Sequence, residues 1–198
     1  MILTKLFLDA AACRREKISD DYSVHRVVYS LFPKTASPSR ILYADKGPVQ
    51  GGRLILILSA VPPRPSSELE ISNLVLSERF FGADRYRFEV TLNPVKKDPE
   101  SGKRKAVTGQ LNVLNWFLKH APKWGFEADA NTLEAAVLPT KVFSKNDSEQ
   151  RFNHVSFRGT LKVTDRKLFR NSVTQGLGHA KAFGFGLLQL SPIQNKQA

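Results

Sequence analysis

The chain contains 198 residues, of which 30 are Lys or Arg and 18 are Asp or Glu, so its formal net charge at pH 7 is +12. Hydrophobic residues make up 41% of it, enough to fill one core or two small ones, which excludes wholesale disorder. Cys13 is the single cysteine, which excludes an internal disulfide framework and a four-cysteine zinc site. The sequence has no run of about eighteen apolar residues, so a membrane span and a signal peptide are disfavoured, and we expect a cytoplasmic protein.

The positive charge is concentrated in the second half of the chain. Residues 1–94 have a net charge of +3 and residues 95–198 a net charge of +9. Excess positive charge attracts polyanions, but it does not distinguish RNA from DNA or from a membrane surface. The basic residues are spread along the chain and do not line one long amphipathic helix, so a membrane surface is the weakest alternative. Nucleic acid is the expected partner, and a merely solvated basic face is the simplest alternative.

The first half predicts strands around one helix. Residues 2–8 form an apolar strand and residues 14–20 a charged loop. A helix capped by Asp20 or Asp21 then runs to about residue 31, before Pro33. Its helical spacing is carried by Tyr22, His25, Val28, Tyr29 and Phe32. Three further strands are predicted at residues 41–43, 54–58 and 86–92, with a turn-rich stretch at 47–52. Residues 69–81 mix helical and alternating signals, so their state stays open.

The second half repeats this order of elements. Helices are predicted at residues 109–121 and 165–174, and strands around Phe126 and at 137–143, 155–163 and 183–190. Both halves approach the split βαβ pattern of a ferredoxin-like domain. We therefore expect an α+β protein with two such βαββαβ domains in tandem, one over residues 1–94 and a basic one over residues 95–198.

A glycine-rich segment near the end of the chain carries a lysine. It reads Gly176-Leu-Gly178-His-Ala-Lys181-Ala-Phe-Gly-Phe-Gly186. The spacing is not that of a Walker loop, and Lys181 stands where a dinucleotide-binding fingerprint needs glycine. Glycines let backbone N–H groups turn toward an anion, or let another part of the chain approach closely. The segment is therefore either part of a phosphate site that includes Lys181 or an ordinary turn with a solvated lysine.

A second constellation lies on the first helix. Tyr22 and His25 are three residues apart, hence neighbours on one helix face, and Arg26 borders the same side. Cleavage of RNA through its own 2′-hydroxyl needs a base, an acid and a cation for the developing charge, and histidine can take either proton role. The alternative is that the His–Tyr pair serves packing only.

These two segments, taken in order, resemble the CasE family of CRISPR endoribonucleases, which process repeats in type I-E Cascade systems. The resemblance is carried by Tyr22-x-x-His25-x(6)-Phe32-Pro33 and Gly176-x-Gly-x-x-Lys181-x-x-Gly-x-Gly186-Leu-Leu. Leu92-Asn-Pro-Val-Lys96, followed by a basic loop, and Phe157-Arg-Gly-Thr-Leu-Lys-Val-Thr-Asp165 resemble the family in the same order. Together they span the chain.

The resemblance implies two RRM-like domains that bind the stem-loop of a CRISPR repeat transcript and cut it once at the 3′ base of the stem. It implies a reaction without metal or other cofactor, in which His25 is catalytic with Tyr22 beside it. The products end in a 2′,3′-cyclic phosphate and a 5′-hydroxyl. The enzyme is further expected to keep the mature guide RNA and to join other Cascade subunits. The alternative is a non-catalytic RNA-binding scaffold of the same fold.

The remaining basic residues are candidates for contacts to the RNA backbone. Residues 96–105 carry five of them around Pro99 and Gly102, which predicts a mobile loop that attracts polyanions. Arg158 and Lys162 share one strand face by their even spacing. The predicted RNA-binding residues are Arg26, Lys96, Lys97, Lys103, Arg104, Lys105, Arg158, Lys162, Gly176, Gly178 and Lys181.

Overall fold

The computed structural model describes residues 1–33, 40–145 and 148–193, with the backbone alone for 142–145 and 148–151. The chain forms two antiparallel sheets with helices packed against them. The strands of the first sheet are β1 (Ile2–Asp9), β2 (Leu42–Val49), β3 (Gly52–Ser59) and β4 (Glu70–Val75). Their spatial order is β2, β3, β1, β4. This is the strand order of a ferredoxin-like domain, with an irregular segment in place of the second helix.

One helix covers the first sheet. The short α1 (Ala10–Arg15) leads to α2 (Asp21–Ser30), which buries Val24, Val27 and Val28. These valines pack on Leu6, Leu8, Ile55 and Ile57 of β1 and β3, where each fully buried side chain contributes roughly 1.5 to 3 kcal/mol. The predicted helix is confirmed, but α1 stands where the start of a charged loop was expected, because the Asp9 side chain caps it by accepting a hydrogen bond from the Ala12 N–H at 2.6 Å.

The second sheet has the order β11, β5, β10, β8, and β9 pairs with β10 beside β8. Its strands are β5 (Arg85–Leu92), β8 (Phe126–Ala128), β9 (Glu134–Lys145), β10 (Ser148–Val163) and β11 (Gln189–Pro192). The helices α4 (Gln110–His120) and α5 (Arg166–Gln175) cover it, and a two-stranded ribbon, β6 (Val95–Lys97) and β7 (Arg104–Ala106), precedes α4. The short α3 (Glu78–Phe81) links the sheets. In chain order, the second sheet and the helices α4 and α5 follow the βαββαβ pattern, so the expected tandem fold is confirmed.

The sheet assignment of one strand was wrong. Residues 86–92 were expected to close the first unit, but β5 lies between β10 and β11 of the second sheet. Its place in the first unit is taken by β4, from the segment whose state the sequence left open. The chain therefore changes sheet between β4 and β5. The division into two domains at residues 1–94 and 95–198 stays a prediction.

Two further predicted boundaries differ from the structure. Residues 47–49 continue β2 and do not belong to the turn, since Pro48 and Val49 pair with Arg53 and Gly52 after an irregularity in register. The closing strand is shorter than residues 183–190, because a 3₁₀ turn, Lys181–Phe183, and left-handed backbone at Gly184 and Gly186 interrupt it. None of the helices in the three described ranges has both the length and the hydropathy needed to cross a bilayer.

Candidate active site and nucleic-acid interface

The start of α2 is fixed by a capping box. The Asp20 carboxylate accepts a hydrogen bond from the Ser23 N–H at 2.8 Å, and the Ser23 hydroxyl oxygen accepts one from the Asp20 N–H at 3.1 Å. This cap sets the rotation of the first helical turn. As the valine face of α2 packs on the sheet, Tyr22 remains 45% exposed and His25 is half-buried.

Three tyrosine rings lie around the His25 imidazole. Its centroid is 6.2 Å from that of Tyr22, 4.3 Å from Tyr29 and 6.3 Å from Tyr43. The predicted neighbours Tyr22 and His25 are thus confirmed as a pair. Tyr29 lies one helical turn after His25, so helical spacing could have predicted it as a further neighbour of the imidazole. Tyr43 comes from β2, and no local sequence pattern indicates that it lies beside His25.

The imidazole is held by a backbone carbonyl from the far end of the chain. His25 Nδ1 lies 2.8 Å from the Ala182 carbonyl oxygen, across 157 residues of sequence. Since a carbonyl can only accept, Nδ1 carries the hydrogen and donates it. The Tyr43 hydroxyl donates to the same oxygen at 3.4 Å. The ring is therefore oriented so that Nε2 is the nitrogen that accepts a proton, or donates one when the ring is charged.

The glycine-rich segment packs closely against β2. A Cβ on Gly184, where φ is +81°, would lie 2.8 Å from the Tyr43 ring, and one on Gly176 would lie 2.7 Å from Leu42 Cδ2. The approach at Gly184 is closer than a side chain tolerates, whereas the Leu42 terminus could shift away from a Cβ at Gly176. The positive φ at both positions, +76° at Gly176, favours glycine in addition. A Cβ on Gly178 would lie 3.5 Å from Leu92 Cδ2, an ordinary contact distance. Contacts of Gly176 and Gly178 with RNA stay predictions.

Lys181 begins the 3₁₀ turn that carries Ala182. Its side chain is half-buried, and burial, followed by the nearby Arg40 guanidinium, lowers the pKa of its ammonium group. Burial raises the pKa of the Tyr29 hydroxyl, and the positive charge of Arg40 lowers it in part. Two cations therefore approach each other beside the His25 cluster, an arrangement that favours an anion between them. Sequence reasoning missed Arg40, which follows no recognisable motif.

The basic segment after β5 forms a two-stranded ribbon closed by a turn, where a loop was expected; its mobility stays a prediction. Lys96 pairs with Lys105 and Lys97 with Arg104 across β6 and β7. At the turn, the Asp98 carboxylate forms an ion pair with Lys105 and accepts from the Ser101 N–H at 2.9 Å. These contacts, the Lys105 bond first, lower the pKa of Asp98 to about 2. Lys105 is thus partly neutralised, and Lys103 projects from the turn as an exposed side chain.

A groove of about 870 Å³ separates this ribbon from the glycine-rich segment. Arg104 lines it from the ribbon and His179 from the segment, and Phe152 and Asn153 of β10 line it as well. Burial, then Arg104 and Lys181, lowers the pKa of His179. Aromatic rings and cations that share one groove can take both the bases and the phosphates of a nucleic acid.

The His179 environment gives a test of this groove. In the variant Arg104→Ala the pKa of His179 should rise toward its ordinary value, because a positive neighbour that disfavours the imidazolium is removed. An NMR titration of the His179 ring protons measures it. Lys119→Ala, on the exposed side of α4, should leave the titration unchanged. An unaltered midpoint in Arg104→Ala would show that the ribbon does not face the segment.

Of the predicted RNA-binding residues, Arg104 alone lines this groove, and three lie outside both the ribbon and the glycine-rich segment. The Arg26 guanidinium donates to the Glu16 carbonyl at 2.6 Å. Arg158 pairs with Glu134 at 2.6 Å, both side chains being exposed, and lines a cleft of about 620 Å³ between the two sheets. Lys162 is exposed on the same strand face of β10, as its spacing predicts. The structure does not bring Arg158 or Lys162 into the groove, and the RNA contacts of all three stay predictions.

The chain resembles proteins of CRISPR systems over its whole length. Residues 1–192 match a family described as CRISPR associated protein. The chain is 26% identical to the CRISPR-associated endoribonuclease Cse3 of Thermus thermophilus, covering 97% of this chain and 100% of that protein. It is 24% identical to the CRISPR system Cascade subunit CasE of Escherichia coli (strain K12), covering 98% and 100%. A solved structure of the CRISPR endoribonuclease Cse3 bound to 19 nt RNA has the same fold, with a TM-score of 0.81 at 22% identity over 97% and 100% of the two chains.

Proposed function

The chain belongs to the family of CRISPR associated proteins, and on this premise we propose that it is a CasE endoribonuclease that cuts CRISPR repeat RNA at the 3′ base of the stem. The cut is made by attack of the RNA's own 2′-hydroxyl and needs no metal. A non-catalytic scaffold that only binds the same RNA is the alternative.

The observation that carries the proposal is the hydrogen bond between His25 Nδ1 and the Ala182 carbonyl. A proton-transfer residue must present a defined nitrogen to its substrate. His120 also bonds a backbone carbonyl through Nδ1, so what marks His25 is the combination of this bond with three surrounding tyrosine rings. Here Nε2 is the nitrogen presented, on a helix face that remains accessible beside Tyr22. This arrangement favours the enzyme over the scaffold.

The reaction exchanges one phosphorus–oxygen bond for another. The 2′-oxygen loses its proton and bonds to phosphorus, the bond from phosphorus to the 5′-oxygen breaks, and that oxygen gains a proton. The products are a 2′,3′-cyclic phosphate and a 5′-hydroxyl. His25 Nε2 takes one of the two proton roles, and Lys181 stabilises the charge that develops on phosphorus. Tyr22 holds the nucleotide next to the cut, so that the attacking oxygen lines up with the leaving oxygen.

The partners follow from the same family membership. The protein binds the repeat stem-loop, keeps the mature guide RNA after the cut, and joins other Cascade subunits; the E. coli relative is named as a Cascade subunit. The net charge of +12 supports a polyanionic partner. We propose that the protein acts in the cytoplasm, because such transcripts are made there and a chain with one cysteine stays reduced there.

A cleavage assay on repeat RNA in the presence of EDTA tests the proposal. Purified protein should convert the RNA to two fragments, of which the upstream one ends in a cyclic phosphate detectable by mass spectrometry. Binding without any fragment, at a protein concentration that saturates the RNA, would support the scaffold instead. Cleavage that stops with EDTA and returns with added Mg²⁺ would contradict the metal-independent route.

The ribbon is expected to hold phosphates, which makes its contribution sensitive to salt. Each lost phosphate contact lowers the slope of log affinity against log salt by about 0.7 to 0.9. In the triple variant Lys103→Ala, Arg104→Ala, Lys105→Ala the slope should therefore fall by about 1.4 to 1.8, the value for two contacts and not for three, because Asp98 already pairs with Lys105.

The measurement is a salt titration of RNA binding, with cleavage followed at saturating enzyme. Cleavage should survive, since these residues lie outside the His25 cluster. The matched control is Lys119→Ala with Lys123→Ala, two exposed lysines of the basic half near the end of α4, which should leave the slope unchanged. An unchanged slope in the triple variant would mean that the ribbon is simply solvated.

A further inference from the structure

Lys141 of β9 contacts both of the elements that meet at His25. Its ammonium group forms an ion pair with Asp21, the first residue of α2. The same group lies 5.8 Å from the centroid of the Phe185 ring, in the glycine-rich segment. Asp21 directly precedes Tyr22, and Phe185 follows Ala182 by three positions. One side chain of the second sheet therefore reaches the helix that carries the imidazole and the segment that carries its carbonyl acceptor.

The surroundings of this ion pair make it sensitive to change. Both side chains are only 23% exposed, so water screens their attraction less than at the surface. Lys141 lines a small cavity of about 240 Å³ with His154 and Phe185. His154 is buried, and burial, followed by Lys141, lowers its pKa. Removal of either partner leaves the other charge half-buried without its counter-ion, which favours a shift of the elements that carry it.

We propose that Lys141, acting through Asp21, is a positioning residue that keeps α2 and the glycine-rich segment at the separation where His25 Nδ1 bonds to the Ala182 carbonyl. Lys141 touches no reacting atom. Its effect on cleavage rests on the proposed nuclease function, whereas its effect on the His25 ring does not. A misplacement of about 1 Å in a catalytic group can slow a reaction by as much as a hundredfold.

The test compares Lys141→Met, Asp21→Asn and the double variant with the wild type. Methionine keeps the length of the side chain and its packing on Phe185 but removes the charge. The first readout is the pair of ¹⁵N chemical shifts of the His25 ring, which report the hydrogen bond at Nδ1 without any RNA. The second is the single-turnover cleavage rate at saturating enzyme, with RNA affinity measured separately.

Each single variant should alter the His25 shifts and slow cleavage about tenfold, with RNA affinity unchanged. The double variant should be no slower than the slower single variant, because both changes break one contact. Lys141→Arg, which keeps the charge, should restore much of the rate. The matched control is Lys46→Met, which breaks another ion pair between the sheets, Lys46–Glu89 at 2.6 Å; its His25 shifts and rate should match the wild type.

Wild-type His25 shifts in Lys141→Met, or rate losses that multiply in the double variant, would overturn the proposal. If Lys141→Met does not fold, Asp21→Asn decides the matter, since Asp20 still caps the helix. A wild-type protein that binds repeat RNA without cutting it would refute the nuclease function, while the His25 shifts would still establish or overturn the positioning role.

Discussion

His25→Ala should cut repeat RNA at least ~10²-fold more slowly than the wild type in single turnover, because general acid–base catalysis contributes about 10² to 10⁴ in rate. The loss follows from the removal of the imidazole that the Ala182 carbonyl orients. RNA affinity should barely change, since the substitution leaves the groove and the ribbon untouched. Rapid mixing of excess protein with labelled RNA measures the rate.

The control for this prediction is His120→Ala. His120 ends α4 and lies 2.7 Å from the Trp116 carbonyl through Nδ1, so it has the same type of hydrogen bond away from α2. Its variant should cut at the wild-type rate. If His25→Ala also processed repeat RNA at that rate with normal affinity, the catalytic assignment would be wrong.

A substrate with a 2′-deoxy nucleotide immediately 5′ of the cut should bind normally and remain uncut. The hydroxyl that attacks phosphorus is then missing, and no residue assigned to the reaction supplies another nucleophile. The matched substrate carries the 2′-deoxy nucleotide on the 3′ side of the cut, where the hydroxyl takes no part, and should be cleaved at the normal rate. Persistent cleavage of the first substrate would refute an internal nucleophile.

The three longer helices α2, α4 and α5 could be predicted because their signals are local. For α2, a cap at Asp20 and a valine face lie within one short stretch of the chain, and α4 and α5 have similar periodicity. The sheet assignment of β5 could not be predicted, because an alternating strand reads the same in either sheet. What places it in the second sheet is pairing with β10 and β11, which lie much further along the chain.

The same distinction between local and long-range signals applies to the candidate site. Tyr22 and His25 could be found because helical spacing makes them neighbours. The Ala182 carbonyl could not, since a backbone oxygen leaves no mark on the residue type. Lys141 and Arg40 were missed because their contacts join parts of the chain that only the packing of the two sheets brings together. The glycines were noticed, but the sequence could not decide between an anion site and close packing, and at Gly184 the structure shows the latter.

The bond between His25 and Ala182 has a consequence for synthesis of the protein. The imidazole emerges from the ribosome early, but its acceptor follows 157 residues later, which takes about 8 to 30 seconds at usual elongation rates. During that time α2 can dock on β1 and β3, yet the His25 ring lacks the carbonyl that orients it. A nascent chain would therefore be able to fold its first sheet beside cellular RNA without a completed nuclease site, and the activity would arise only when the glycine-rich segment closes over β2.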